Sequence, residues 1–244
     1  MSYQFLRSTK WVSFLAFGAV CAALFISLGA WQLKRSGQTQ QESNDLRTRS
    51  SLVAVPVDQL AEGASYESAR NLEWRTVTAT GRFDTDHQVV VDNRSWHGQP
   101  GAHVVTPLLL DAGGVVLINR GWVPSSRKIG ELPIIAALPK ATVTITGRVR
   151  PSQKREGLGA ADTATGRLPV LKRLDIARIS QQSPYPVAPF YVEATSVTNG
   201  VELIDPPRFG SATNLSYAIQ WFSFCGIGVV AWTIIIRRHA RRPA

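Results

Sequence analysis

Two stretches of this chain carry no charged residue: WVSFLAFGAVCAALFISLGA at residues 11–30 and AIQWFSFCGIGVVAWTIII at residues 218–236. About 20 apolar residues in a helix cross the hydrocarbon core of a bilayer. Lipid offers no partner to a bare backbone, so such a run must be helical or part of a closed barrel. Both stretches therefore predict transmembrane helices. The first is longer than the ~7–15 apolar residues of a cleaved signal, and no small-x-small site follows it. Val20 also stands where a lipoprotein signal ending at Cys21 wants a small residue. The first run is expected to remain as an uncleaved helix.

Charge sets the expected orientation. Arg237, Arg238, Arg241 and Arg242 follow the second run, Arg7 and Lys10 precede the first, and neither flank holds an acid. Short flanks rich in Lys and Arg stay cytoplasmic. Lys34 and Arg35 pull the other way but are outnumbered. The expected division is a cytoplasmic tail at 1–10, membrane helix at 11–30, extracytoplasmic β-rich domain with a helical stalk at 31–217, second membrane helix at 218–236 and an Arg-rich cytoplasmic tail at 237–244. All 17 acids fall in the outward segment with 21 of the 27 cations, which leaves that segment at +4 and the tails at +6. The basic balance thus follows the membrane topology and gives no support to nucleic-acid binding. Both cysteines, Cys21 and Cys225, lie in the spans, so the outward domain must be held by its core.

Within that segment, β-branched runs alternate with turn residues. WRTVTATGRF (74–83), HQVVVDNRSW (87–96), AHVVTPLLL (102–110), GVVLINRGWV (114–123) and ATVTITGRVR (141–150) read as strands, with FYVEA (190–194) and GVELI (200–204) as two more. Asp111-Ala112-Gly113-Gly114 reads as a hairpin turn. LDIARIS (174–180) reads as a short helix, and GLGAADTATG (157–166) as a loop. The fold class expected is a membrane protein of α+β type: two transmembrane helices bracketing a mostly antiparallel β-domain with one or two short helices. VVVDNRSW is echoed by VVLINRGW, and VTATGRF by VTITGRV; recurring strand-end chemistry accounts for the echo, with remnant duplication as the alternative.

Catalytic motifs are missing. There is no HExxH, GxSxG, GxxxxGK[ST] or CxxC pattern, and the four histidines do not share a metal-ligand spacing. Asp84, Asp86 and His87 could cluster as ligands, but a turn between two strands is the simpler reading. Arg82, Arg94, Arg120 and Arg148 end strands and read as solvated rims or as partners of nearby acids. At the second span, Asn214, Tyr217 and Trp221 share helical spacing. Trp31 and Arg35 lie one turn apart beyond the first. Tryptophan at headgroup level and a cation reaching lipid phosphate would account for these as membrane anchors. An exported hydrolase or a membrane-anchored adaptor binding proteins through its β-domain is an alternative reading of the whole.

Four blocks carry a resemblance: LGAWQLKRSGQTQ (28–40), VTATGRFDTDHQVVVDNRSWHGQPGAHVVTPLLL (77–110), VVLINRGWVP (115–124) and NLSYAIQWF (214–222). In this order, with paired spans around them, they resemble the Surf1/Shy1 family of cytochrome c oxidase assembly factors. The resemblance implies a non-catalytic role in maturing an aa3-type oxidase, with oxidase subunits as partners, the cell membrane as location, and haem a as the group delivered or retained. It makes Asn214, Tyr217, Trp221, Trp31 and Arg35 candidates for a haem or subunit groove. In the family pattern the residue at Asn214 is usually histidine. An amide is a poor iron ligand where an imidazole is a good one, whereas Asn is a favoured helix N-cap. Three routes stay open at this point: haem contact through Tyr217, Trp221 and arginines without ligation; ligation by His87, His97 or His103; or binding of the oxidase subunits alone.

Overall fold

The computed structural model describes residues 4–125, 133–154, 161–163, 165–196, 199–207 and 211–241. In chain order the elements are α1 (Thr9–Ser50), β1 (Val55–Pro56), α2 (Val57–Ala61), α3 (Ser68–Asn71), β2 (Thr76–Phe83), β3 (Val89–Trp96), β4 (Gln99–Leu110), β5 (Val115–Pro124), β6 (Val143–Pro151), β7 (Val170–Leu171), α4 (Ile176–Ser180), β8 (Val187–Ala194) and α5 (Ser211–Ala240). They divide into a helical unit, Met1–Asn44 with Pro207–Ala244, and a β unit, Asp45–Pro206.

In the helical unit, α1 runs 42 residues and α5 runs 30, each with an apolar window long enough to cross a membrane. The polar residues after position 30 continue α1 without a break. Neither helix contains proline, and Lys, Gln, Arg and Glu after position 31 are good helix formers.

Five strands of the β unit close on themselves. β2 pairs antiparallel with β6, β6 with β8, and β4 with β5, while β5 and β8 run parallel; pairing of β2 with β4 completes the ring. β2, β4 and β5 are antiparallel neighbours and β6 returns beside β2, the order of a Greek key. β8 fills the remaining gap. β3 and β7 extend the sheet beyond β4, and β1 lies parallel on β2. The Asp111–Gly114 hairpin forms, with Gly113 at φ 96° and Gly114 at φ 78°, conformations that glycine adopts freely. Alternation along β5 separates two cores: Val116 and Ile118 face the barrel interior with Leu108, Ile145 and Val192, while Leu117 faces Val91, Tyr191 and the α4 residues Ile176 and Ile179. Asp175 caps α4 by accepting from the Arg178 N–H. Residues 200–204 do not form a strand; Glu202 makes one bridge, exchanging both backbone hydrogen bonds with Trp122. The loop expected at 157–166 lies partly outside the described residues.

The echoed Thr-Gly-Arg segments are barrel corners. Gly81 pairs with Val143 on one side and Leu110 on the other, and Gly147 pairs with Val77 and Ala194. Each sits where its strand gains a second neighbour. A Cβ at Gly81 would strike the Leu109 carbonyl, and one at Gly147 would strike Val192 and the Glu193 carbonyl. The echo therefore repeats a steric need, since closing a small barrel requires strands to bend where backbones approach.

Of the arginines expected as solvated rims or as partners of nearby acids, Arg120 and Arg148 are buried, and Arg148 has the acidic partner. Arg120 is 0% exposed; it donates to Gln88 Oε1 at 3.1 Å and to the Asn199 carbonyl at 2.6 Å. Arg148 pairs with Glu193 at 2.9 Å, both side chains being under one-tenth exposed, and also donates to the Ile204 carbonyl. Glu193 lies in register with Asn119, whose amide nitrogen is 3.4 Å from His103 Nδ1. A polar row thus crosses β6, β8, β5 and β4 on the outer face of the barrel.

Two tests follow from this row. Removing one partner of a buried ion pair costs ~3–5 kcal/mol because the other charge is left unanswered. Glu193→Ala should destabilise the β unit on that scale in urea unfolding followed by near-ultraviolet circular dichroism. Glu193→Leu combined with Arg148→Met should cost far less; equal losses would show that the pair's charge is not the issue. The second concerns pH. Burial, with Arg94 nearby, holds His103 down at about 4, against an ordinary 6.5. Below pH 6.5 the unfolded chain takes a proton that the folded chain refuses. This contribution is complete above pH 6.5, is lost between 6.5 and 4, and is flat below, amounting to at most ~3 kcal/mol. Stability measured from pH 7 to 4 should fall less steeply in His103→Gln; parallel curves would contradict the assignment.

Candidate functional site

The helical unit has a seam that a plain hydropathy reading does not reveal. From Trp11 to Gln32, the α1 residues that are not exposed are Trp11, Phe14, Leu15, Gly18, Cys21, Ala22, Phe25, Gly29 and Gln32. On α5 from Asn214 the corresponding positions are Asn214, Ala218, Trp221, Cys225, Gly228, Trp232, Ile236, His239 and Ala240. Steps of three and four keep one stripe of each helix turned to the other, as in an antiparallel coiled pair. Contacts run in register along it. Trp11 meets His239 with centroids 4.8 Å apart, Phe14 stacks on Trp232 at 4.3 Å, and the Cys225 thiol points at the Ala22 carbonyl. Two glycines receive aromatic rings: a Cβ at Gly18 would come 2.6 Å from the Trp232 indole, and one at Gly29 2.7 Å from the Phe222 ring. Trp11 and Trp232 therefore pack within the pair.

Spacing the helices on large rings leaves an apolar cleft of about 410 Å³ between them, bordered by Gly18, Cys21, Phe25, Phe224, Cys225 and Trp232, among others. The Trp232 indole N–H is buried there with no acceptor. The cleft can accept a flat or chain-like apolar group that brings a hydrogen-bond acceptor.

The five candidate residues divide between the seam and its outside. Trp221 lies on the seam, stacked on Phe25 at 5.8 Å with Phe224 edge-on at 6.1 Å. Asn214 also lies on the seam, half-buried. Tyr217 at 48% exposure, Trp31 at 59% and Arg35 face away from the partner helix. Asn214 is not an N-cap: α5 begins at Ser211, so Asn214 is already inside the helix. Phe25, Phe224 and the glycines were readable from the three-four spacing of small and aromatic residues, but an all-apolar background hides that spacing.

The histidines of the β unit have other partners. His87 Nδ1 is 2.7 Å from Asp84 Oδ2, and Asp84 also accepts from the backbone N–H groups of Asp86 and His87, so this group is a capped turn. His97 sits at φ 46° in the β3–β4 hairpin, its ring edge-on to Trp96. His103 faces Asn119. At the Asn214 end of the seam, Trp221, Phe25 and Phe224 suit a porphyrin face, but the polar group there is an amide, and no histidine accompanies the rings among the described residues.

The seam can be tested with the chain's own two thiols, which border the same cleft. A short bis-maleimide should link Cys21 to Cys225 within one chain, giving a faster-migrating band in membranes. Gly18→Leu or Gly29→Leu, by displacing Trp232 or Phe222, should lower that yield severalfold; an unchanged yield would refute the packing.

A match to the SURF1 family covers residues 19–226. An uncharacterized SURF1-like protein of Mycobacterium tuberculosis is 28% identical over 242 residues, spanning 93% of this chain and 84% of its own. A SURF1-like protein of Caenorhabditis elegans is 25% identical over 254 residues, spanning 93% and 75%. The cytochrome oxidase assembly protein SHY1 of Saccharomyces cerevisiae is 29% identical over 139 residues, spanning 54% of this chain and 34% of its own. The family match begins inside α1, takes in the whole β unit and ends inside α5, as the four sequence blocks implied: this chain belongs to the SURF1 family.

Proposed function

We propose that this chain is a membrane-anchored, non-catalytic assembly factor for an aa3-type cytochrome c oxidase, assisting delivery or retention of haem a while the catalytic subunit matures. The observation that carries the reading is the family match, which begins inside the first apolar helix, covers the β unit and ends inside the second, together with a relative named as a cytochrome oxidase assembly protein. In this reading both termini are cytoplasmic and the β unit faces the outer side of the cell membrane, since cations flank both spans on one side.

Haem a is cargo here, held by contact. Trp221 on Phe25 offers stacked rings on the seam, and each offset aromatic contact contributes ~0.5–1.5 kcal/mol. Contacts of that size permit loading and release. Asn214 supplies no iron ligand, so the iron would be ligated by the partner or by solvent. Trp31, Arg35 and Tyr217 point outward, where an oxidase subunit or lipid headgroups would meet them, a placement suited to binding subunits and haem on different faces of one helix pair.

Full-length tagged protein isolated in mild detergent from cells expressing the oxidase should bring down its catalytic subunit. Trp31→Ala with Tyr217→Ala should reduce that recovery while leaving the chain in the membrane. Asn214→His, expressed in a haem-a-producing host, should acquire a histidine-ligated haem spectrum that the parent lacks. Recovery of abundant unrelated membrane complexes in place of the oxidase would reject the proposal.

A further inference from the structure

The ring of Trp11 meets His239, so the first residues of α1 and the last of α5 lie together at one end of the helix pair. Arg7, Lys10, Arg237, Arg238 and Arg241 gather at that end. Residues 1–41 and 206–244 contain no acid, and among the described residues none of these five cations has an ion-pair partner. The end of the pair is therefore positive and unanswered.

The apolar cleft starts beside these cations. Thr233 and Ile236 line it, and Arg237 stands one turn beyond Thr233. On α1, Lys10 stands one turn before Phe14, whose ring stacks on the Trp232 ring that walls the cleft. From Ile236 the lining runs along α5 to Phe224, which at roughly 1.5 Å per residue is about 18 Å. That approaches half of the ~30 Å hydrocarbon core, the depth that the acyl chains of one leaflet occupy. Ala19, Val229 and Thr233 border the cleft and are exposed, so it opens sideways to lipid. The Thr233 hydroxyl donates to the Val229 carbonyl at 2.8 Å, which leaves the wall apolar in character. At Gly228 a Cβ would meet nothing within 4 Å, so the space beside that glycine is open.

We propose that this cleft is a binding site for one anionic phospholipid, with an acyl chain in the slot and the phosphate between Lys10 and Arg237. An apolar slot cannot by itself choose among lipids, because every acyl chain is equally apolar. Choice comes from the rim, where guanidinium and ammonium groups form charge-assisted hydrogen bonds to phosphate and attract anionic headgroups. A zwitterionic lipid fills the same slot but leaves the excess positive charge in place. The site lies at the opposite end of the seam from Asn214. It rests on the two helices crossing a membrane and is independent of the oxidase role proposed above.

The test is native mass spectrometry of the full-length protein released from detergent micelles, titrated with phosphatidylglycerol and with phosphatidylcholine carrying the same acyl chains. One phosphatidylglycerol should be retained roughly tenfold more readily than one phosphatidylcholine. Lys10→Gln combined with Arg237→Gln should remove most of that preference. Gly228→Leu, whose new side chain enters the slot, should lower retention of both lipids severalfold while circular dichroism shows the helix content unchanged. Lys34→Gln, beyond the other end of the apolar run of α1, should alter neither. Inorganic phosphate should fail to displace the lipid. Equal retention of the two lipids, or a preference that survives loss of Lys10 and Arg237, overturns the headgroup assignment. Retention untouched by Gly228→Leu overturns the slot and leaves surface attraction only, and displacement by phosphate overturns a lipid as the occupant.

Discussion

In a bilayer, two apolar helices gain nothing by hiding from lipid, which is as apolar as they are. What joins α1 to α5 is the fit of large rings onto small residues: Trp232 over Gly18 and Phe222 over Gly29. The candidate cleft follows from the same fit. Large rings hold the backbones apart where small residues would let them close, and Cys21, Cys225 and Gly228 are too small to fill the space between. The seam also sorts the conspicuous polar and aromatic residues at the helix ends. Asn214 and Trp221 face the partner helix, while Tyr217, Trp31 and Arg35 face outward.

The β unit meets a different constraint. It has no cysteine and a modest core, and an open sheet of this size would expose unpaired edges. Closing five strands into a ring satisfies most of those edges, and Gly81 and Gly147 allow the close backbone approaches that closure demands. The polar row on the outer face runs against the usual economy of a core. Arg148 and Glu193 answer each other's charge, and buried atoms without a protein partner, among them Arg148 Nε and Asn119 Oδ1, mark where that row is costly.

Periodicity made much of this visible in the sequence. Unbroken apolar runs announced α1 and α5, β-branched alternation announced the long strands, and Asp111–Gly114 announced its hairpin. What pairs residues far apart in the chain stayed hidden. Nothing local in Arg148 says that Glu193, 45 residues on, will bury it. The GVELI run at 200–204 read as a strand, but only Glu202 bridges to Trp122. The short α2 and α3 carry no side-chain cap to betray them. At the site, the family resemblance pointed to the helix ends, and only the three-four spacing of Gly18, Phe25, Gly29, Trp221 and Trp232 tells which side chains meet.

The proposed role in maturing a haem-a oxidase is tested most directly by the reduced-minus-oxidised absorption spectrum of membranes from a strain lacking the chain. That role predicts loss or marked reduction of the a-type band with the other cytochromes retained, restored by the intact gene. An a-type band of normal height, with normal oxidase activity, would contradict it.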